Sequence, residues 1–160
     1  MVSIWFEKKQ GQDSIVLVPS IASGPVAAFI QSALGSLDIP VDIVDSAEEL
    51  LFQLVRKNVY ILTTNIAGLE TGGTVSELWA NHEALARDVA HEVILIQQAL
   101  TGQEFNEDAL IKAMLVSFDG DPNHKCMGRS APSRLQRALD TAAQYSLQLP
   151  TLQKIAAEHL

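Results

Sequence analysis

After Asp45 the apolar residues recur at intervals of three and four through a series of stretches, most of them opened by a capping residue or a proline. Helices packed on helices bury such stripes, so residues 46–160 read as a helical bundle. Ser46 can cap a long helix with Glu48 and Glu49 in its first turn, and its pattern runs to about Ala67 before Gly68 and Gly72-Gly73 stop it. That length predicts a central helix. Thr74-Val-Ser-Glu77 has capping-box spacing and predicts a short helix through Trp79, after which Asn81 can cap another that runs to Gly102. Asn106 opens a helix ending near Phe118, Pro132 or Ser133 one to about Ser146, and Pro150-Thr151 the last. Between them, Asp119 to Arg129 mixes Gly, Pro and charge and reads as the most mobile segment.

The first 45 residues differ. Val2 to Phe6 and Ser14 to Val18 are short, β-branched-rich segments that predict a hairpin or two edge strands. Val26, Phe29, Ile30, Ala33, Leu34 and Leu37 give a helical stripe between Pro25 and Leu37, and Val41 to Val44 predicts one more strand. The fold expected is mainly α, a multi-helix bundle with a small N-terminal β element. It is read as one domain over 1–160, with strands and one helix in 1–45 and the bundle in 46–160.

Composition narrows function. The chain has 160 residues, of which 48% are hydrophobic and 19% charged, enough for a core without disulfide staples. Its net charge of -8 repels phosphate backbones and anionic membranes, and Lys and Arg cluster no further than the pairs Lys8-Lys9 and Arg56-Lys57. Neither nucleic acid nor a membrane is an expected partner, and no stretch has the apolar length of a span. A cytoplasmic location is expected. Cys126 is the only cysteine, so an intramolecular disulfide and a cysteine cage for zinc are both ruled out.

Most polar motifs have ordinary readings. Asp119-Gly-Asp-Pro-Asn123 begins like a calcium loop, but His124 stands where the sharp turn needs glycine and Ser130 where a bidentate acid belongs. His124-Lys-Cys126 and His91-Glu92 lack the spacing of a zinc site, and no metal is expected. His91 is read as an ion-pair partner of Asp88, three residues before it, and His82 and His159 as solvent-facing. Lys125 beside Cys126 would favour the thiolate, although no base partner accompanies it. Gly68 to Gly73 reads as a helix stop, with a carboxylate at the amides that follow as the minority reading.

Lys57 is the residue that asks for a reason, because an ammonium in an apolar helical run needs a partner or a use. Positions 57, 61, 64, 65 and 68 share one stripe, so Lys57, Thr64 and Asn65 could look into one apolar-walled groove. The alternative has Lys57 snorkelling to the surface beside Arg56 while Thr64 and Asn65 bond local backbone, and spacing alone favours it.

The stretch Leu50 to Asn65, with Ile-Ala-Gly-Leu-Glu-Thr-Gly-Gly-Thr-Val-Ser-Glu-Leu78 after it, resembles the opening of the C-terminal helical domain of ketopantoate reductases, a 6-phosphogluconate dehydrogenase C-terminal-like fold. Leu147-Gln-Leu-Pro-Thr151 is similar to that family's turn before its last helix. The resemblance implies that Lys57 matches a catalytic lysine that helps protonate a substrate carbonyl, and Asn65 a substrate-binding asparagine. Ile61 stands where the family has a second asparagine, and Ser-Ala-Pro-Ser follows Arg129 where the family carries its substrate-binding glutamate.

Ketopantoate reductases hold NADPH on an N-terminal doubly wound domain, and the residues before Val18 neither build one nor carry its glycine fingerprint. No cofactor is therefore expected on this chain alone. The expectation is a freestanding, noncatalytic small-molecule-binding or dimerisation domain, a homodimer that takes a small carboxylate. The alternative is an oxidoreductase component in which Lys57 acts as general acid and a separate nucleotide-binding chain supplies NADPH.

Overall fold

The computed structural model describes residues 1–8 and 10–160; Lys9, half of the first basic pair, lies outside the described residues. In chain order the elements are β1 (Val2–Ser3), β2 (Phe6–Glu7), β3 (Ile15–Val16), β4 (Ser20–Ala22), α1 (Ala27–Gly35), β5 (Val41–Ile43), α2 (Ala47–Thr71), α3 (Val75–Thr101), α4 (Glu107–Gly120), α5 (Ala131–Gln144) and α6 (Pro150–His159). The fold is the expected helical bundle with a small β element.

The predicted hairpin forms over part of its length. Phe6 pairs with Val16 and Glu7 with Ile15, whereas Val2 and Ser3 turn away to pair antiparallel with Ala22 and Ile21 of β4. That strand is absent from the sequence reading, because three residues buried on both faces show no alternation. β4 also pairs parallel with β5, so β4, α1 and β5 make a single parallel crossover unit. Its small core consists of Ala22, Ala27 and Val41 with Ile30 and Leu34 packed against them. Only the Ile30 and Leu34 side of the predicted α1 stripe faces inward; Val26, Phe29 and Leu37 are exposed.

α2 is the central helix, touching α3, α4, α5 and α6. The Ser46 hydroxyl accepts from the Glu49 amide at 3.3 Å, which places its start where the sequence does. Its end lies beyond the predicted stop. Gly68 is inside the helix, where the loop after α4 passes so close that a side chain would meet Cβ of Cys126 at 2.8 Å, so the glycine makes room for the loop and does not end the helix. Gly72 and Gly73, at φ 60° and 71°, make the actual turn. The Thr74 capping box then opens α3, which runs to Thr101 as one element with a break at His82 (φ -137°, ψ 34°), beside the cap expected at Asn81.

The large core joins all five bundle helices, and Trp5 and Val18 belong to it. The N-terminal arm is thus packed into the bundle. Its approach is tight at the end of α4, where a side chain on Gly120 would lie 1.8 Å from the Leu17 carbonyl oxygen. No helix among the described residues is long and apolar enough to cross a membrane.

Candidate functional site

Lys57 owes its burial to that arm. Its ammonium donates to the Ile4 carbonyl at 2.5 Å and lies 5.6 Å from the centroid of the Trp5 ring. Arg56 takes another approach to the same ring at 5.2 Å and donates to the Ser117 hydroxyl at 3.0 Å. Desolvation lowers the pKa of both cations. Neither side chain simply snorkels to water. The arm is itself fixed, since the Trp5 amide donates to the Ser20 hydroxyl at 3.0 Å and the Leu17 amide to the Trp5 carbonyl at 2.9 Å.

Thr64 does not share a groove with Lys57. It is 1% exposed, and its hydroxyl donates back to the Tyr60 carbonyl at 2.8 Å, the local backbone bond that a mid-helix threonine readily makes. Asn65, one residue on, does face a cavity. Its Nδ2 donates to the Ile61 carbonyl at 2.8 Å while Oδ1 accepts from the Gly128 amide at 3.4 Å, leaving one amide proton uncommitted among the described residues.

That cavity is a cleft of about 460 Å³ between α2, the β2–β3 hairpin and the loop joining α4 to α5. Asn65, Lys125 and Arg134 line it together with Glu7, Asp121 and His124. Lys57 opens instead on a recess of about 190 Å³ walled by Trp5, Tyr60 and Ile61. Glu7 and His124 line both spaces and stand between them.

The loop that carries His124 is held on several sides. The Val75 amide donates to the His124 carbonyl, the Ser76 amide to the Pro122 carbonyl and the Cys126 amide to the Gly73 carbonyl, at 3.0, 3.3 and 3.1 Å. It is docked on the first turn of α3. Cys126 is not activated by the neighbouring Lys125. It is fully buried, and burial first, with the Glu77 charge second, pushes its thiol up to about 11 against the opposing pull of Lys125.

Other polar groups are structural. His91 pairs with Glu107 of α4 at 2.8 Å rather than with Asp88, and His159 sits 3.4 Å from Glu70 rather than facing open solvent. Glu92 is 4% exposed and accepts the Thr151 and Leu152 amides at 2.7 and 2.8 Å, so a carboxylate from α3 caps α6.

Sequence reasoning missed the convergence of Glu7 with Asp121 and His124. The Asp-x-x-His spacing around Pro122 is a visible turn signal, since the His124 amide donates to the Asp121 carbonyl at 3.0 Å. Nothing local to Glu7 announces it.

No protein-family model and no curated protein matches the chain. Among solved structures it is similar to the dimeric ketopantoate reductase of Staphylococcus aureus, with a TM-score of 0.59 and 14% identity. The likeness covers 98% of this chain and 57% of that one. The chain therefore spans little more than half of that enzyme's length, and what they share is the fold, with a helical bundle like the ketopantoate reductase C-terminal domain.

Proposed function

We propose that this chain is a noncatalytic domain that binds a small organic acid in the cleft beside Asn65, with Lys125 and Arg134 receiving the carboxylate. The observation that carries this reading is the separation of Lys57 from Asn65. A general-acid lysine and a substrate-binding amide must meet the same molecule, yet Lys57 opens on the smaller recess and its ammonium is engaged by Ile4. The cleft has the size of a small-ligand site and offers two cationic side chains and an amide to a carboxylate, beside the Glu7 and Asp121 carboxylates that would have to face away from it.

Calorimetric titration of the whole protein with NADPH and with a branched 2-oxo acid tests it. Binding of the acid alone, weakened at least about tenfold by Arg134→Met, is the expected result. Tight NADPH binding by this chain, or acid binding indifferent to Arg134→Met, overturns it.

A second reading makes the chain an oxidoreductase component that uses Lys57 with NADPH held on another chain. It is favoured by the fold shared with a reductase and by the place of Lys57 on α2. Restored 2-oxo acid reduction on adding a lone nucleotide-binding domain, abolished by Lys57→Met, would establish it. Self-association is part of the first reading too: the structural neighbour is dimeric, and Val26, Phe29 and Leu37 put apolar area on the outside of α1. Sedimentation should find a dimer that Phe29→Glu weakens.

A further inference from the structure

We propose that Glu7, Asp121 and His124 form a binding site for one divalent first-row transition cation, with zinc the preferred ion. The three come from two parts of the chain more than a hundred residues apart. His124 Nδ1 lies 3.8 Å from a Glu7 carboxylate oxygen and 3.7 Å from one of Asp121, and one ligand atom from each residue falls within 4.8 Å of the others. Ligands held about 2.0–2.2 Å from a tetrahedral zinc are about 3.3–3.6 Å from each other, so the two imidazole distances need a contraction of a few tenths of an ångström and the Glu7–Asp121 edge, within 4.8 Å, one of up to about 1.5 Å by side-chain rotation.

The donors are positioned in advance. Asp121 and His124 occupy the ends of a four-residue turn around Pro122, closed by the His124 amide on the Asp121 carbonyl and docked on α3 through the Val75 and Ser76 amides. Glu7 is carried by the β2–β3 hairpin, whose pairing with Ile15 fixes its register. All three side chains are partly accessible and line the 460 Å³ cleft, which leaves an entry route and room for further ligands.

A second observation points the same way. Tyr60 is 5% exposed, its hydroxyl has no hydrogen-bond partner among the described residues, and its ring lies 6.2 Å from the His124 ring in the adjoining recess. Glu7 and His124 line that recess with it, so Tyr60 shares its walls with two of the three proposed ligands. An unmatched buried donor beside three metal-type ligands is what a site with a bound water, or with a carboxylate turned toward an ion, would satisfy.

The donor set selects the ion class. One imidazole and two carboxylates suit zinc and its neighbours, while calcium and magnesium prefer oxygen alone and copper(I) prefers sulfur. The site depends on these residues and not on the organic-acid reading.

The whole protein, freed of metal with a chelator, is titrated by calorimetry with zinc chloride and by absorption with cobalt chloride. One zinc per chain in the micromolar range or tighter is expected, with visible cobalt bands of a low-coordinate site and no comparable binding of magnesium or calcium. Asp121→Asn and His124→Ala should each weaken zinc at least about tenfold, and the isosteric Glu7→Gln is a variant that spares the hairpin. His159→Ala, at the other cluster of Glu70, Glu158 and His159, should change nothing. Absence of zinc binding, binding that survives both Asp121→Asn and His124→Ala, or binding lost in His159→Ala overturns the proposal.

Discussion

The ammonium of Lys57 is bonded to the carbonyl oxygen of Ile4, fifty-three residues earlier in the chain. The bond joins the middle of the central helix to the N-terminal arm, and Trp5 lies across it. Because the Lys57 side chain is half-exposed, its bond adds little to stability; the Trp5 ring, 3% exposed and set edge-on to Tyr60 at 5.4 Å, supplies most of the arm's anchorage. Urea unfolding should therefore show Lys57→Met within about 1 kcal/mol of wild type and Trp5→Ala about 3–5 kcal/mol below it.

Cys126 should make stability fall in mild alkali. Its thiol titrates at about 11 in the folded chain against an ordinary 9.0, so the folded state keeps a proton that the unfolded state gives up. That contribution is complete below pH 9 and is lost as pH rises from 9 through 11. Cys126→Ala should flatten the decline between those values in thermal melts, and the native thiol should resist alkylation at pH 8.

Gly120 permits the crossing of α4 by the arm. Alanine there would place a carbon 1.8 Å from the Leu17 oxygen, a backbone atom that no rotamer change can move. Gly120→Ala should cost at least about 2 kcal/mol by chemical denaturation. Gly35, beside open space, is the control and should tolerate alanine.

Glu92 holds the start of α6. Glu92→Ala strands the Thr151 and Leu152 amides and should cost about 2–4 kcal/mol, with Glu92→Gln in between because one oxygen still accepts. Hydrogen exchange confined to α6 would be the distinguishing readout.

These cases also mark where the sequence was legible. Ser46, Thr74 and Asn106 act on amides three residues away, so their caps identify helix starts without knowledge of the fold. α6 has no such local cap, because its acceptor is fifty-nine residues distant on α3. Lys57 announces that it needs a partner, but the partner is a backbone oxygen with no sequence signature. Thr64 and Asn65 differ by about 100° around α2, and a stripe at spacings of three and four accommodates both, although only Asn65 reaches a cavity. Glu7 joins Asp121 and His124 only through the path of the arm, a tertiary fact.

The two short pairings of the arm set how far Lys57 is exposed. Trp5 and Val18 are docked by contacts far apart in sequence, while α2 to α6 bury one another, so the arm rests on helix packing to which it contributes only two buried side chains. Lys57 is then a partly shielded amine: acylation by a small reagent competes with its bond to Ile4, and any ion or ligand that grips Glu7 and so holds the arm in place slows that reaction.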